Sequence, residues 1–244
     1  MTSRLAAGMT RAIARHQRRE ILGFMRKAAH ARSMAFRDHY SRIAEWYSSV
    51  PGDRVLELGC GPGRYVPLLH ALGARVTAVD PYEFPLWSTL SELPGIDFRS
   101  GVRAEDLPFG AGTFDGICCL GALLYFDDPE RALAEMSRVL VPGGRLLVRT
   151  VNRDNAVTRR TGAPLDPASR NLYTSDELTD LLTRAGFFVT TTYAYGFWPA
   201  RFRGAWWFLV NGPIPIRLQE TLSGLVPAEA RVNVIAAASK GASA

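Results

Sequence analysis

An acidic residue, three alternating glycines and a second acidic residue form the part of this chain best suited to chemistry: Glu57-Leu-Gly59-Cys-Gly61-Pro-Gly63, then Asp80 at the end of the next apolar run. Val55, Leu56 and Leu58 precede the glycines, the pattern of a short buried strand that breaks into a loop with no Cβ to hold a ligand away. Arg75-Val-Thr-Ala-Val-Asp80 repeats that pattern and ends on a carboxylate, where open parallel α/β sheets read ribose hydroxyls. The spacing argues against a phosphate ligand. A dinucleotide loop has Gly-x-Gly-x-x-Gly, whose third glycine would fall at Arg64, and the Gly-Lys-Ser/Thr of a P-loop is absent. A carboxylate at Glu57 suits an amine instead, and a nucleoside that carries one is S-adenosylmethionine. Two structural roles compete: Glu57 could cap the loop's own amides, and Asp80 could cap a helix ahead of Pro81.

Further stretches follow in a set order: Ala104-Glu-Asp-Leu-Pro-Phe109, Thr113-Phe-Asp115, Asp128-Pro-Glu-Arg-Ala-Leu running on to Pro142-Gly-Gly-Arg-Leu-Leu-Val148, Thr174-Ser-Asp-Glu-Leu178, and Arg184-Ala-Gly-Phe187. With the glycine loop, these resemble the class I S-adenosylmethionine-dependent methyltransferases of the small-molecule type. The resemblance implies a Rossmann-like α/β fold with a seven-stranded, mostly parallel sheet in the order 3-2-1-4-5-7-6, strand 7 antiparallel. It implies S-adenosylmethionine as cofactor and S-adenosylhomocysteine as product. By the same resemblance Glu57 meets the methionine ammonium, Gly59, Cys60, Gly61 and Gly63 surround the cofactor, Asp80 and the following Pro81 face the ribose, and the Ala104 amide reaches an adenine nitrogen. Leu120 and Gly121 lie along the methionine chain, and Tyr40, with Tyr47 on the same helix, closes over it. One position departs from the family's pattern. The aspartate expected before Ala104 is Arg103, whose guanidinium has no acceptor for the adenine amine. Glu105 or a backbone carbonyl then accepts in its place, or Arg103 stacks on the ring or points away.

Methyl transfer is an in-line displacement in which the donor's positive charge disappears. Positioning and exclusion of water supply most of the rate, and a base is needed only when the acceptor begins protonated. All four histidines precede residue 71. His39, on the helix before the sheet, and Tyr125, where the family often has histidine, are the catalytic candidates, with Asp127, Asp128 and Asn152 behind them. Asp128 reads equally well as the cap of a helix that Pro129 opens. The expected reaction is methyl transfer to an oxygen or nitrogen of a small molecule, apolar or lipid-linked acceptors included. The alternatives are a non-catalytic adenosyl-binding regulator or scaffold and, behind it, a nucleic-acid methyltransferase.

The elements that must position these residues are those of one core: 244 residues at 47% hydrophobic content. Ten of the 29 Lys/Arg and two of the 23 Asp/Glu fall in residues 1–42, so that arm carries +8 and the remaining chain −2. The basic arm can touch an anionic membrane surface peripherally, whereas the acidic body is not that of a nucleic-acid binder. Three cysteines without Cys-x-x-Cys read as reduced thiols of a cytoplasmic protein, with no metal site expected. No run of 18 apolar residues is present. The expected division is a basic helical arm or lid over 1–48 and a methyltransferase domain over 49–244, with substrate-specifying stretches at 152–173 and 195–230, the second rich in Trp and Phe. Helices are expected over 3–30 and 36–47, and strands near 54–58, 75–80, 96–99, 115–120, 144–150, 187–194 and 231–238. Helices are expected between the first six strands, with Pro142-Gly143-Gly144 as a turn.

Overall fold

The computed structural model describes residues 34–50, 52–196 and 225–241. The helix expected over 3–30 and most of the aromatic-rich stretch after 196 lie outside them.

Strands β1 (Arg54–Leu58), β2 (Arg75–Asp80), β3 (Ile96–Ser100), β4 (Phe114–Leu120), β5 (Leu140–Val151), β6 (Phe187–Tyr195) and β7 (Asn233–Lys240) form one sheet. Its order is β3-β2-β1-β4-β5-β7-β6. The first five strands are parallel, and β7 runs antiparallel to both β5 and β6. This is the topology the resemblance implied. It follows from strands apolar on both faces, which need helices above and below. Leu56, Ile117 and Val148 face α4 (Pro129–Val139) and α6 (Ser175–Arg184) through Leu133, Met136, Leu178 and Leu182. Val55, Val76 and Cys118 face α1 (Met34–Tyr47) and α2 (Val66–Ala71) through Ile43, Trp46, Leu68 and Leu69. Cys118 and Cys119 thus lie in opposite layers, both buried as free thiols, as is Cys60.

Helix starts are written locally. Asp128 accepts from the Arg131 amide at 3.0 Å with Pro129 in the first turn of α4, and Thr174 and Glu177 exchange bonds as a capping box on α6. Asp128 therefore takes its capping role.

Three expectations are corrected. Residues 101–113, between β3 and β4, form no helix: Pro108, Gly110 and Gly112 interrupt them, Gly112 at a φ of 66°. Pro142-Gly143-Gly144 is a bulge inside β5 rather than a turn, because pairing jumps from Phe114↔Leu140 to Gly116↔Arg145 and the strand resumes. The last strand starts at Asn233, since the Val232 amide is taken by the Gly196 carbonyl. The short α3 (Leu86–Leu90) and α5 (Ala156–Thr161) complete the α-helices among the described residues.

Because β2 and β4 flank β1 on opposite sides, the chain reverses its winding there and leaves a crevice beyond the carboxyl ends of β1 and β4. The opposite end of these strands is tied by Asp115. Its Oδ2 accepts from the Arg54 amide and Nε at 3.0 Å each, and its Oδ1 from Nη2 at 2.8 Å. These bonds hold the Asp115 carboxyl below its usual range. The stabilisation is present above the ordinary carboxylate pKa and is lost as pH falls through the lowered value. Asp115→Ala should lower the unfolding free energy by about 1.5–3 kcal/mol, the range for hydrogen bonds to a charged group. It should also flatten the acid side of the stability profile. Urea titrations across pH check both, and an unchanged midpoint would show that the tie contributes nothing.

Candidate functional site

The glycine loop satisfies its own donors. The Gly59 and Cys60 amides both reach the Val79 carbonyl, at 2.9 and 3.0 Å, and the Gly61 amide donates to Asp80 Oδ2 at 2.9 Å. Trp87 Nε1 holds the Gly61 carbonyl at 2.8 Å. Gly59 has a φ of 69°, and a Cβ there would lie 2.2 Å from the Ala122 Cβ, so only glycine fits. A Cβ at Gly61, which lines the cleft, would meet nothing within 4 Å.

Glu57 is therefore left over. It is 2% exposed, and its Oε2 has no hydrogen-bond partner among the described residues. Burial, and then the charge of Asp80, pushes its carboxyl well above the usual range. The loop-capping role for Glu57 falls away because the amides are taken. Asp80 is not a helix cap either: its Oδ1 accepts from the Tyr82 amide at 3.0 Å, and the next helix begins only after Pro85.

A cleft of about 590 Å³ opens at the next residue, Leu58, and Glu57 itself is not among the residues lining it. Gly59, Gly61, Asp80, Pro81, Arg103, Ala104, Glu105, Gly121 and Tyr125 line it. Four other sequence-derived residues are not among those lining it. A Cβ at Gly63 would lie 3.0 Å from Phe98, so this glycine faces the protein. Cys60 is buried with its thiol pushed far up by burial, and Leu120 is half-buried beside it in the α1 and α2 layer. Tyr40 is buried and donates to the Arg64 carbonyl at 3.2 Å, bracing the loop from α1.

Neither catalytic candidate is set up as a base. His39 is buried, with Nδ1 2.9 Å from the Tyr65 hydroxyl and its ring edge-on to Tyr195, and it is not among the residues lining the cleft. Burial, then Arg149 and Arg42, hold its pKa well below the ordinary value. Tyr125 is 44% exposed on the cleft and hydrogen-bonded to Asp166; burial of its ring and that bond push its hydroxyl up to about 12.

Arg103 places its guanidinium on Asp127, with Glu105 at 3.7 Å. Arg170 also pairs with Asp127, and Glu105 Oε1 accepts from the Asp127 and Asp128 amides at 2.9 and 3.3 Å. Glu105 and Asp127 thus belong to a network on the cleft rim. Asn152 is structural, donating to the carbonyls of Glu229 and Arg231 at 2.9 and 2.8 Å. Ala168 and Arg170, from the stretch 152–173, line the cleft. Sequence reading missed Tyr82, an aromatic 74% exposed on the cleft directly after Asp80-Pro81, and Arg149 behind Gly121. The signal for the latter is one charge within the apolar run Leu146-Leu-Val-Arg149.

Residues 25–192 match the family described as methyltransferase domain. The chain belongs to the class I S-adenosylmethionine-dependent methyltransferases. The chain is 34% identical over 160 residues to a protein of Mycolicibacterium smegmatis named "Probable S-adenosylmethionine-dependent methyltransferase", covering 64% of this chain and 60% of that one. It is 34% identical over 116 residues to the ubiquinone biosynthesis O-methyltransferase of Marinobacter nauticus, covering 43% of this chain and 47% of that one. It therefore spans less than two thirds of these curated relatives. In fold it is similar to the Burkholderia thailandensis 1,6-didemethyltoxoflavin-N1-methyltransferase, solved with 1,6-didemethyltoxoflavin and S-adenosylhomocysteine. That likeness has a TM-score of 0.58 at 22% identity and covers 99% of this chain and 91% of that one.

The described residues fit the family's cofactor. Glu57, once ionised, would answer an ammonium and Asp80 a ribose, and Gly61 leaves backbone bare on the cleft wall. Because the folded protein raises the Glu57 pKa, its contribution to stability is lost as pH rises through the raised value. Glu57→Gln should therefore raise the melting temperature of the free protein at neutral pH. It should weaken S-adenosylmethionine binding on the order of tenfold or more. Wild-type affinity should climb as pH rises and Glu57 ionises. Scanning and titration calorimetry read these together, and an unchanged affinity in the glutamine variant would take Glu57 out of the site.

Proposed function

We propose that this protein transfers a methyl group from S-adenosylmethionine to an oxygen of a small-molecule acceptor bound in the cleft. The observation that carries this reading is the buried, unpartnered Glu57 carboxylate below a glycine loop that needs nothing from it. When bound, S-adenosylmethionine supplies a methyl group on a positively charged sulfur, which an acceptor lone pair takes while the carbon–sulfur pair stays with sulfur. The chain's own part is to bind, orient and exclude water. Asp80 and the glycine loop hold one wall. The segment following α5 is strapped over the rim: Arg170 N donates to the Leu124 carbonyl at 2.8 Å, Asn171 Nδ2 to the Phe126 carbonyl at 2.6 Å, and Tyr125 pairs with Asp166.

His39 is neutral, and Tyr125 keeps its proton at neutral pH. The acceptor proton accordingly leaves to solvent or is gone before binding. The ubiquinone biosynthesis O-methyltransferase relative supports oxygen as acceptor, and the Burkholderia neighbour with a small ligand supports a small molecule.

Incubation with methyl-deuterated S-adenosylmethionine and fractionated metabolite extracts, followed by mass spectrometry, should give a product one labelled methyl heavier, with fragmentation locating the label on oxygen. A label on nitrogen would correct the acceptor atom. Cofactor binding without a labelled product in any fraction would overturn the transfer.

A further inference from the structure

Arg149 carries a half-buried charge that no carboxylate of the described residues answers, whereas Arg54, Arg103, Arg138 and Arg153 each find one. It lies on β5 opposite Leu120 of β4, and its carbonyl accepts from the Gly121 amide at 2.8 Å. Its Nε and Nη2 both donate to Asn233 Oδ1, at 3.1 and 2.6 Å. A neutral amide from β7 thus fixes the plane of the guanidinium without neutralising it. The other edge, Nη1, faces Gly121: a Cβ there would sit 2.8 Å from it. Gly121 lines the cleft and Arg149 does not, so the guanidinium sits directly behind the bare backbone of the cleft wall.

Among the described residues no carboxylate pairs with Arg149; the acidic groups that share its neighbours are Glu57, which acts on Tyr65, and Asp166, which acts on Tyr125. The field of Arg149 reaches His39, Tyr65 and Tyr125, and all three are neutral. Arg42, the second cation near His39, stacks on Tyr195 with its guanidinium carbon 4.1 Å from the ring centroid. The carboxylate for the cofactor ammonium, Glu57, instead feels Asp80. A half-buried cation without a counterion is costly, and such groups collect where function uses them.

We infer that Arg149 is the acceptor-recognition residue, and that the acceptor is an ionised oxygen acid, a carboxylate or an acidic phenol or enol, drawn to the Nη1 edge. This rests on the methyl-transfer reading and deepens it. An acceptor that arrives as an oxyanion has no proton to lose, which agrees with a cleft whose lining contains no histidine and whose Tyr125 stays protonated. Amines, cationic at neutral pH, are repelled.

The test is binding of three probes of one size, benzoate, 4-nitrophenolate and benzamide, to protein saturated with S-adenosylhomocysteine. Wild type should favour the anions over benzamide on the order of tenfold or more. It should also lower the apparent pKa of bound 4-nitrophenol, read by absorbance. Arg149→Met should erase the preference, Arg149→Lys should restore part of it, and both should keep their S-adenosylhomocysteine affinity. Asn233→Ala, which releases the guanidinium without removing it, should weaken the preference and covers the case in which Arg149→Met does not fold. The stronger of the two anions distinguishes a carboxylate acceptor from a phenolic one.

Equal binding of benzamide and the anions by wild type would overturn the inference, as would an anion preference that survives in Arg149→Met. A fall in S-adenosylhomocysteine affinity with anion binding intact would place Arg149 on the cofactor's own carboxylate and overturn it as well. Wild-type protein that binds no S-adenosylhomocysteine would bring down the methyl-transfer reading itself, a result distinct from the others.

Discussion

Two amides on one carbonyl set the geometry of this protein's cleft. By placing Gly59 N and Cys60 N on the Val79 oxygen, the chain joins the end of β1 to the end of β2 and turns the glycine loop away from the sheet. The turn demands a left-handed backbone at Gly59 and contact with Ala122, so the loops after β1 and β4 cannot separate without undoing it. With these donors satisfied, the nearby carboxylates are released from structural work or share it lightly: Asp80 steadies two amides, and Glu57 none among the described residues.

The charges divide accordingly. Negative groups gather at the ends of β1 and β2, where burial and mutual repulsion raise the energy of Glu57. Positive ones gather at the end of β5 and on α1, where Arg149 and Arg42 add to the burial that keeps His39 neutral. Sheet order places β4 between them, so a ligand lying across β4 would have the acidic strand ends on one side and Arg149 on the other. Either group alone is a liability in the empty fold, and the structure tolerates them because two large cores on either face of the sheet supply the stability.

Much of this was legible in the sequence, and what was not shares a cause. Strands apolar on both faces announce a parallel sheet, and Glu57, Asp80 and the glycines announce the cleft, because each signal is contained within a few residues. The capping residues Asp128 and Thr174 are local in the same way. His39 was misjudged because its helix turns it towards Tyr65 and Tyr195, 26 and 156 positions away, a packing decision that no local pattern records. Arg149 was passed over because its meaning depends on Asn233, 84 positions on, and on a bare backbone at Gly121. The β5 bulge was read as a turn because Pro-Gly-Gly serves either purpose, and only pairing with β4 decides between them.

The three free cysteines occupy different depths of the architecture. Cys60 is in the glycine loop, while Cys118 and Cys119 are sealed in the central strand, and burial keeps all three thiols protonated and shielded. A thiol-trapping reagent can therefore reach them only through transient openings of the fold. Modification at Cys60 times the breathing of the loop, and modification at the central pair times the parting of the sheet, so the native chain already contains two clocks for motions on different scales.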